Sequence, residues 1–249
     1  MQGTLPGTRT SPSTAPRIRR LRSGFSTGIR GEPNGLAGDI LPQKLITETN
    51  FDWERCGAEN PDAAKALHAD PDAMYRHVIN HGYAEGQKGY SRDDSENARL
   101  LLCETAHRIA SDAMSDRDKI RAVHDWIVVN PRYDVENCDR GTIPYDDCSY
   151  SSVMLRRTGV CEGYASAFQY FMWVLDIPCG VISSADHAWN KVRLGGTWYC
   201  IDVTWDDPVP DEGDRVYWYR YFLNTDPTFG GDPGHVVLRN EKALCQRYE

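Results

Sequence analysis

The sequence predicts an α+β domain. Helix start and stop signals recur between residues 60 and 178, and a tight antiparallel hairpin follows at 187–205. A third observation joins the two. A cysteine opens the last of the helices, and a histidine and an aspartate stand on the hairpin.

Residues 1–48 are rich in Gly, Pro, Ser and Thr and carry the basic run RIRRLR at 17–22. They are read as a mobile tail, with a core-contacting strand or turn near Ile40–Ile46. Residues 49–90 are read as a small helical module. Asn60-Pro61 and Asp70-Pro71 each place a capping residue before a proline at the first helical position, and Gly82 is a stop signal. Residues 91–249 form the main domain. A helix is expected over 92–113, with Leu100, Leu101, Cys103, His107 and Ile109 on or near its buried face. Ser115 to Asp118 is a capping-box signal for the next helix, on which Ile120, Val123 and Ile127 recur at helical spacing until Asn130-Pro131. Residues 132–150 read as a loop.

GVCEGYASAFQYFMWVLDIPCG begins at Gly159. Ala165, Phe168, Met172 and Leu175 recur at helical spacing, which puts Cys161 on the first turn of a buried helix. A thiol with pKa ~8.5 is only a few per cent thiolate at neutral pH. The free N–H groups and the dipole of a helix N-terminus favour the anion and can hold an oxyanion on an attacked carbonyl. A plain buried cysteine is the competing reading.

HAWNKVRL-GG-TWYCIDVTW reads as two strands about a Gly195-Gly196 turn. A two-residue turn pairs Leu194 with Thr197 and Val192 with Tyr199. Alternation then gives one face to Ala188, Val192, Leu194, Tyr199, Ile201, Val203 and Trp205. The other carries His187, Trp189, Lys191, Trp198, Cys200, Asp202 and Thr204. His187 and Asp202 are diagonal neighbours on that second face, roughly 7–8 Å apart at the backbone, within reach of a His–Asp hydrogen bond. A one-residue slip would separate them.

Composition excludes several functions. Residues 1–50 carry seven Lys/Arg and three Asp/Glu, which leaves 21 basic against 33 acidic residues beyond them. A domain of net charge −12 is a poor partner for nucleic acid or an anionic membrane. No run of about 18 apolar residues spans a membrane. No signal peptide is visible at the N-terminus. The eight cysteines include no CxxC pair, against zinc ribbons and thioredoxin-type chemistry. Cys138 and Cys148 flank a Gly/Pro/Asp loop; a disulfide and two free thiols both stay open. His77 and His81 stand four apart but lack a third metal ligand. His124-Asp125 lies on a helix and is read as structural, while Glu162 and Asp206-Asp207 are read as exposed.

GVCEGYA, HAWNKV, the Gly turn, WYCIDVTWDDP and YFLNTD together resemble the bacterial transglutaminase-like (papain-type) superfamily over roughly residues 115–225. SDRDKIRAVHDWIVVNPRYD is similar to the helix that precedes the nucleophile in that group, and residues 50–90 resemble a helical module that accompanies such domains in bacterial surface proteins. The resemblance implies a papain-like core in which the cysteine helix packs on an antiparallel sheet, preceded by the small helical segment. It implies Cys161 as nucleophile, His187 as general base and acid, and Asp202 as orienter. It also implies acyl transfer on protein or peptide amides through a thioester, either as a peptidase or as a transglutaminase. No metal or organic cofactor is needed for that chemistry, and an extracellular or cell-surface location rests on the same analogy. Tyr150, in the less typical stretch before the cysteine, is a candidate second oxyanion donor or otherwise a packing residue. Trp189 and Trp198 are candidates to wall a substrate groove or, equally, to pack beneath a loop. The rival reading is a non-catalytic cell-surface or cell-wall-binding module on the same fold. The sequence leaves the oligomeric state open.

Overall fold

A computed structural model describes residues 46–184, 186–207, 209, 219–225 and 235. The tail and Cys245 lie outside them. Of the Ile40–Ile46 segment only Ile46 is described, and it is fully buried.

Among the described residues three short helices come first: α1 (Trp53–Glu59), α2 (Pro61–Ala66) and α3 (Pro71–His77). Both proline signals mark real starts. Asp70 caps α3 by accepting the Ala73 N–H at 2.7 Å, and a π-turn (Val78–Gly82) carries the chain to Gly82. His77 sits 3.8 Å from Glu85, an ordinary near-surface contact. Ile46, Phe51, Cys56, Met74 and Val78 form a small apolar cluster that is closed by Leu100 of the next helix.

That helix is α4 (Asp94–Ile109), shorter than the expected 92–113 because Ala110 leaves helical geometry. Its buried stripe runs through Leu102, Cys103 and Ala106, and His107 faces solvent instead. α5 (Asp116–Val129) starts at the expected cap, where Ser115 Oγ accepts the Asp118 N–H at 3.2 Å. The stretch 132–150 is not a plain loop. It holds strand β1 (Arg132–Tyr133), helix α6 (Val135–Arg140) and a 3₁₀ turn (Tyr145–Cys148). Asp134 caps α6 and Gly141 ends it in the left-handed region, so residues that read as turn signals serve here as helix boundaries. Helix α7 (Tyr150–Leu155) and strand β2 (Thr158–Gly159) lead to α8 (Cys161–Val174), and β2 pairs with β1 in parallel.

The second sheet is antiparallel, in the order β3 (Cys179–Ser183), β4 (Ala188–Leu194) and β5 (Thr197–Ile201). Its hairpin has the expected register, with Leu194 opposite Thr197 and Val192 opposite Tyr199. Gly195 and Gly196 both have positive φ, 59° and 86°, as the tightest hairpin turns require. One face of the sheet meets α8. Val192, Ile201 and Val203 join Phe168, Phe171 and Met172 there, over a core shared with α4, α5 and α7. Asn190 stands on this apolar face, fully buried, and its amide donates to the Ala165 carbonyl at 2.9 Å, tying β4 to α8. The α+β class and the packing of the cysteine helix on an antiparallel sheet are therefore those of this chain.

The other face is buried too. Ile182, Trp189, Cys200 and Tyr221 form a separate cluster with Trp205. Alternation had assigned Trp205 to the core face. The strand ends at Ile201 and the chain turns through 203–206, which carries the indole round to the second face.

Gly163, in the first turn of α8, fixes how closely the 3₁₀ turn approaches the nucleophile. A Cβ there would lie 2.4 Å from the Asp147 carbonyl oxygen and 3.4 Å from that of Ser149. Both obstacles are backbone. Gly163→Ala is expected to destabilise the fold by about 1–3 kcal/mol through this overlap. Gly57→Ala, whose added carbon would meet Ala64 Cβ at 3.4 Å, is the tolerated control. Urea unfolding of both variants is the check, and equal stability for them would contradict the packing described.

Candidate active site

α8 begins at Cys161, and no side chain caps it. Extended Val160 occupies the N-cap position, and its own N–H goes to the Asp147 carbonyl at 3.0 Å. The N–H groups of Cys161, Glu162 and Gly163 are consequently without partners inside the helix. Cys161 is 2% exposed and packs against Ala165, Ala188 and Val181. Tyr133 and the Cys138 and Cys148 thiols lie near enough to feel its charge, and the Tyr133 hydroxyl meets the Cys161 backbone.

His187 stands at the bend between β3 and β4. Its N–H lies 3.2 Å from Ser184 Oγ, and its carbonyl accepts the Ser184 N–H at 2.8 Å. The ring packs against Trp189 on one side and Trp205 on another, with centroids 5.9 and 5.2 Å away. Nε2 lies 2.5 Å from Asp202 Oδ2. Cys161 lies close enough to the same ring to favour its protonated form.

Asp202 is fully buried just past β5. Oδ1 accepts the N–H groups of Thr204 and Trp205 at 3.0 and 3.2 Å. Oδ2 accepts from His187 and also from Nε2 of His235 at 2.8 Å. Its backbone N–H reaches the Tyr221 carbonyl at 3.0 Å. Burial acts to raise the Asp202 carboxyl, but the charges and hydrogen bonds of His187 and His235 outweigh it and hold the group at about 2. Burial likewise opposes the His187 imidazolium. Asp202, with help from Cys161, overrides it and pushes the ring up to about 10. The ring is therefore a strong acceptor for a proton. Burial disfavours thiolate at Cys103 and Cys148, lifting them to about 11 and about 12.

A second histidine–carboxylate group braces this turn. His124 on α5 is fully buried, with Nδ1 2.9 Å from Asp125 Oδ1 and Nε2 3.1 Å from Asp206 Oδ2. Asp206 also accepts the Tyr221 N–H at 3.2 Å. Burial disfavours the His124 cation, but the two carboxylates prevail and raise it. Asp207 accepts the Tyr164 hydroxyl at 2.8 Å. The expectation that Asp206 and Asp207 are exposed is thus overturned: both are buried, because Asp206 ties the turn to α5 and Asp207 ties it to α8.

Cys161, His187 and Asp202 are brought together. Tyr150 is not: its hydroxyl goes to the Ser95 carbonyl at 3.3 Å and its ring stacks on Tyr170 at 4.2 Å. Tyr133 is the tyrosine beside the nucleophile. Trp189 is 1% exposed, so it backs the histidine from within and does not wall an open groove. His235 was not singled out from the sequence. It lies 33 residues beyond Asp202, with no periodic or motif signal to mark it. His187, Asp202 and His235 have ligand-type atoms within 4.8 Å of one another and are the metal-capable group among the described residues.

Residues 104–203 match the transglutaminase-like superfamily, a span that contains all three residues. The chain is 27% identical over 138 residues to the kyphoscoliosis peptidase of Mus musculus and 25% identical over 143 residues to that of Homo sapiens. These alignments cover 48% and 50% of this chain but only 20% and 21% of the relatives. Among solved structures, a TGase matches 53% of this chain and 37% of its own, with 20% identity and a TM-score of 0.39. The family to which residues 104–203 of this chain are similar is thus the transglutaminase-like superfamily.

Proposed function

We propose that this chain is a cysteine-dependent acyl-transfer enzyme acting on amide bonds of proteins or peptides. One observation carries the reading: a cysteine at an uncapped helix start faces a histidine whose far nitrogen is held 2.5 Å from a buried carboxylate. In the mechanism, His187 Nδ1 takes the Cys161 proton. The thiolate attacks the amide carbon, and backbone N–H groups at the start of α8 receive the developing oxyanion. His187 then protonates the leaving amine, which departs and leaves a thioester. Asp202 keeps Nε2–H pointed at itself, so that Nδ1 serves the sulfur, and it stabilises the imidazolium. His187 next deprotonates water, giving hydrolysis, or a primary amine, giving a crosslink. The match of residues 104–203 to the superfamily and the name of the kyphoscoliosis peptidases support the enzyme reading at the level of reaction class. No helix among the described residues is long and apolar enough to cross a membrane.

The test is mass spectrometry of a peptide library incubated with the protein, with and without a free primary amine, beside Cys161→Ala. Expected are cleaved, deamidated or amine-conjugated peptides that the variant does not produce. Products formed equally by the variant would overturn the proposal, and an inert, folded wild type would favour the binding module.

A further inference from the structure

We propose that His235 is a positioning residue of this site: it donates Nε2–H to the same carboxylate oxygen that holds His187, and so fixes the carboxylate that aims the base. The proposal rests on the Cys161–His187–Asp202 reading above.

A carboxylate offers about four acceptor positions. At Asp202 all four are filled. Two backbone N–H groups occupy Oδ1, and two imidazole Nε2 atoms, at 2.5 and 2.8 Å, occupy Oδ2. The backbone pair sets where the carboxylate sits. The pair on Oδ2 sets its rotation, because each imidazole restrains the oxygen against the other's pull. His235 is itself held in one orientation. Its ring lies against Trp205, Trp189 and Tyr221 with centroids 4.3, 5.0 and 5.3 Å away, and it is 2% exposed. A side chain present only to fill that space would not need a nitrogen at hydrogen-bond distance from a buried carboxylate. A metal ligand set is the other reading of the same three residues. An ion sits between its ligands, about 2 Å from each. Here the oxygen touches both nitrogens directly, which is the geometry of shared N–H donation.

The experiment follows Cys161 alkylation by iodoacetamide at pH 6 in the full chain, read by peptide mass spectrometry, with folding checked by thermal unfolding. It needs no identified substrate. His235→Gln keeps an N–H donor at similar reach, whereas His235→Leu fills the space without one. Expected is near-wild-type alkylation for the glutamine variant and about tenfold slower alkylation for the leucine variant. Wild-type rates in the folded leucine variant, or equal slowing in both, would overturn the donor role. If the leucine variant does not fold, His235→Ala replaces it with the same readings. Stoichiometric zinc in the purified protein, lost in His235→Gln, would overturn the proposal in favour of a metal site. His187→Ala distinguishes the two levels: alkylation at the wild-type rate in that variant would sink the triad reading itself, whereas slow alkylation there with a fast leucine variant would sink only the role of His235.

Discussion

Cys161→Ala is expected to abolish turnover on any peptide the wild-type protein transforms, by about 10⁴-fold or more in kcat. The size follows from the mechanism. Without a sulfur no thioester forms, and the N–H groups at the start of α8 have no covalent intermediate to stabilise. The loss would not reflect unfolding. The change removes one atom at the end of a helix whose packing rests on Phe168, Phe171 and Met172. Thermal unfolding within a few degrees of wild type, alongside absent turnover, is the expected pair of results. Cys161→Ser should be nearly as inactive, since a hydroxyl beside the same imidazole is a far weaker acid than a thiol. A serine or alanine variant with wild-type turnover would move the chemistry elsewhere.

Asp202→Asn carries the second large effect. The carboxylate accepts on both oxygens, from two backbone N–H groups on Oδ1 and two imidazoles on Oδ2. An asparagine amide has one acceptor oxygen. If it keeps Thr204 and Trp205, it turns its NH₂ toward two histidine nitrogens. If it serves the histidines, the backbone pair loses its acceptor. Either way a buried donor is stranded, at about 1–3 kcal/mol, and the imidazolium loses its counter-charge. A fall in kcat of about 10²–10⁴-fold with little change in KM is expected, because Asp202 does not touch substrate. Asp202→Ala should be worse for the fold, since removing one partner of a buried pair costs about 3–5 kcal/mol. Steady-state kinetics on a peptide from the library decides it, and unchanged kcat in the asparagine variant would remove Asp202 from the site.

Much of this arrangement was legible in the sequence for local reasons. The Gly195-Gly196 turn allows one register, and the strict alternation of a strand then places His187 and Asp202 on one face. The helical spacing of Ala165, Phe168 and Met172 puts Cys161 at a helix start. What was not legible depends on contacts between distant segments or on where regular structure stops. Trp205 changes faces because β5 ends four residues before it, and alternation says nothing beyond a strand. Asp206 is buried because His124, 82 residues earlier, waits on α5 to receive it. Tyr150 sits where the motif drew attention, but α7 turns its ring against Tyr170. Tyr133 reaches the nucleophile only through the β1–β2 pairing, a two-residue ladder that leaves no pattern in the sequence. His235 had no signal of any kind, and only the folded chain brings it to Asp202.

The convergence of sulfur, imidazole and carboxylate is open to direct measurement by NMR titration of isotopically labelled histidine. His187 should titrate near 10, far above its ordinary 6.5, because Asp202 and the Cys161 sulfur both favour the imidazolium over the pull of burial. Blocking Cys161 as a methyl disulfide removes one of those supports, so the pKa should fall; Asp202→Asn removes the larger one, so it should fall further. A His187 signal titrating near 6.5, and indifferent to both changes, would show that the three groups do not act on one another.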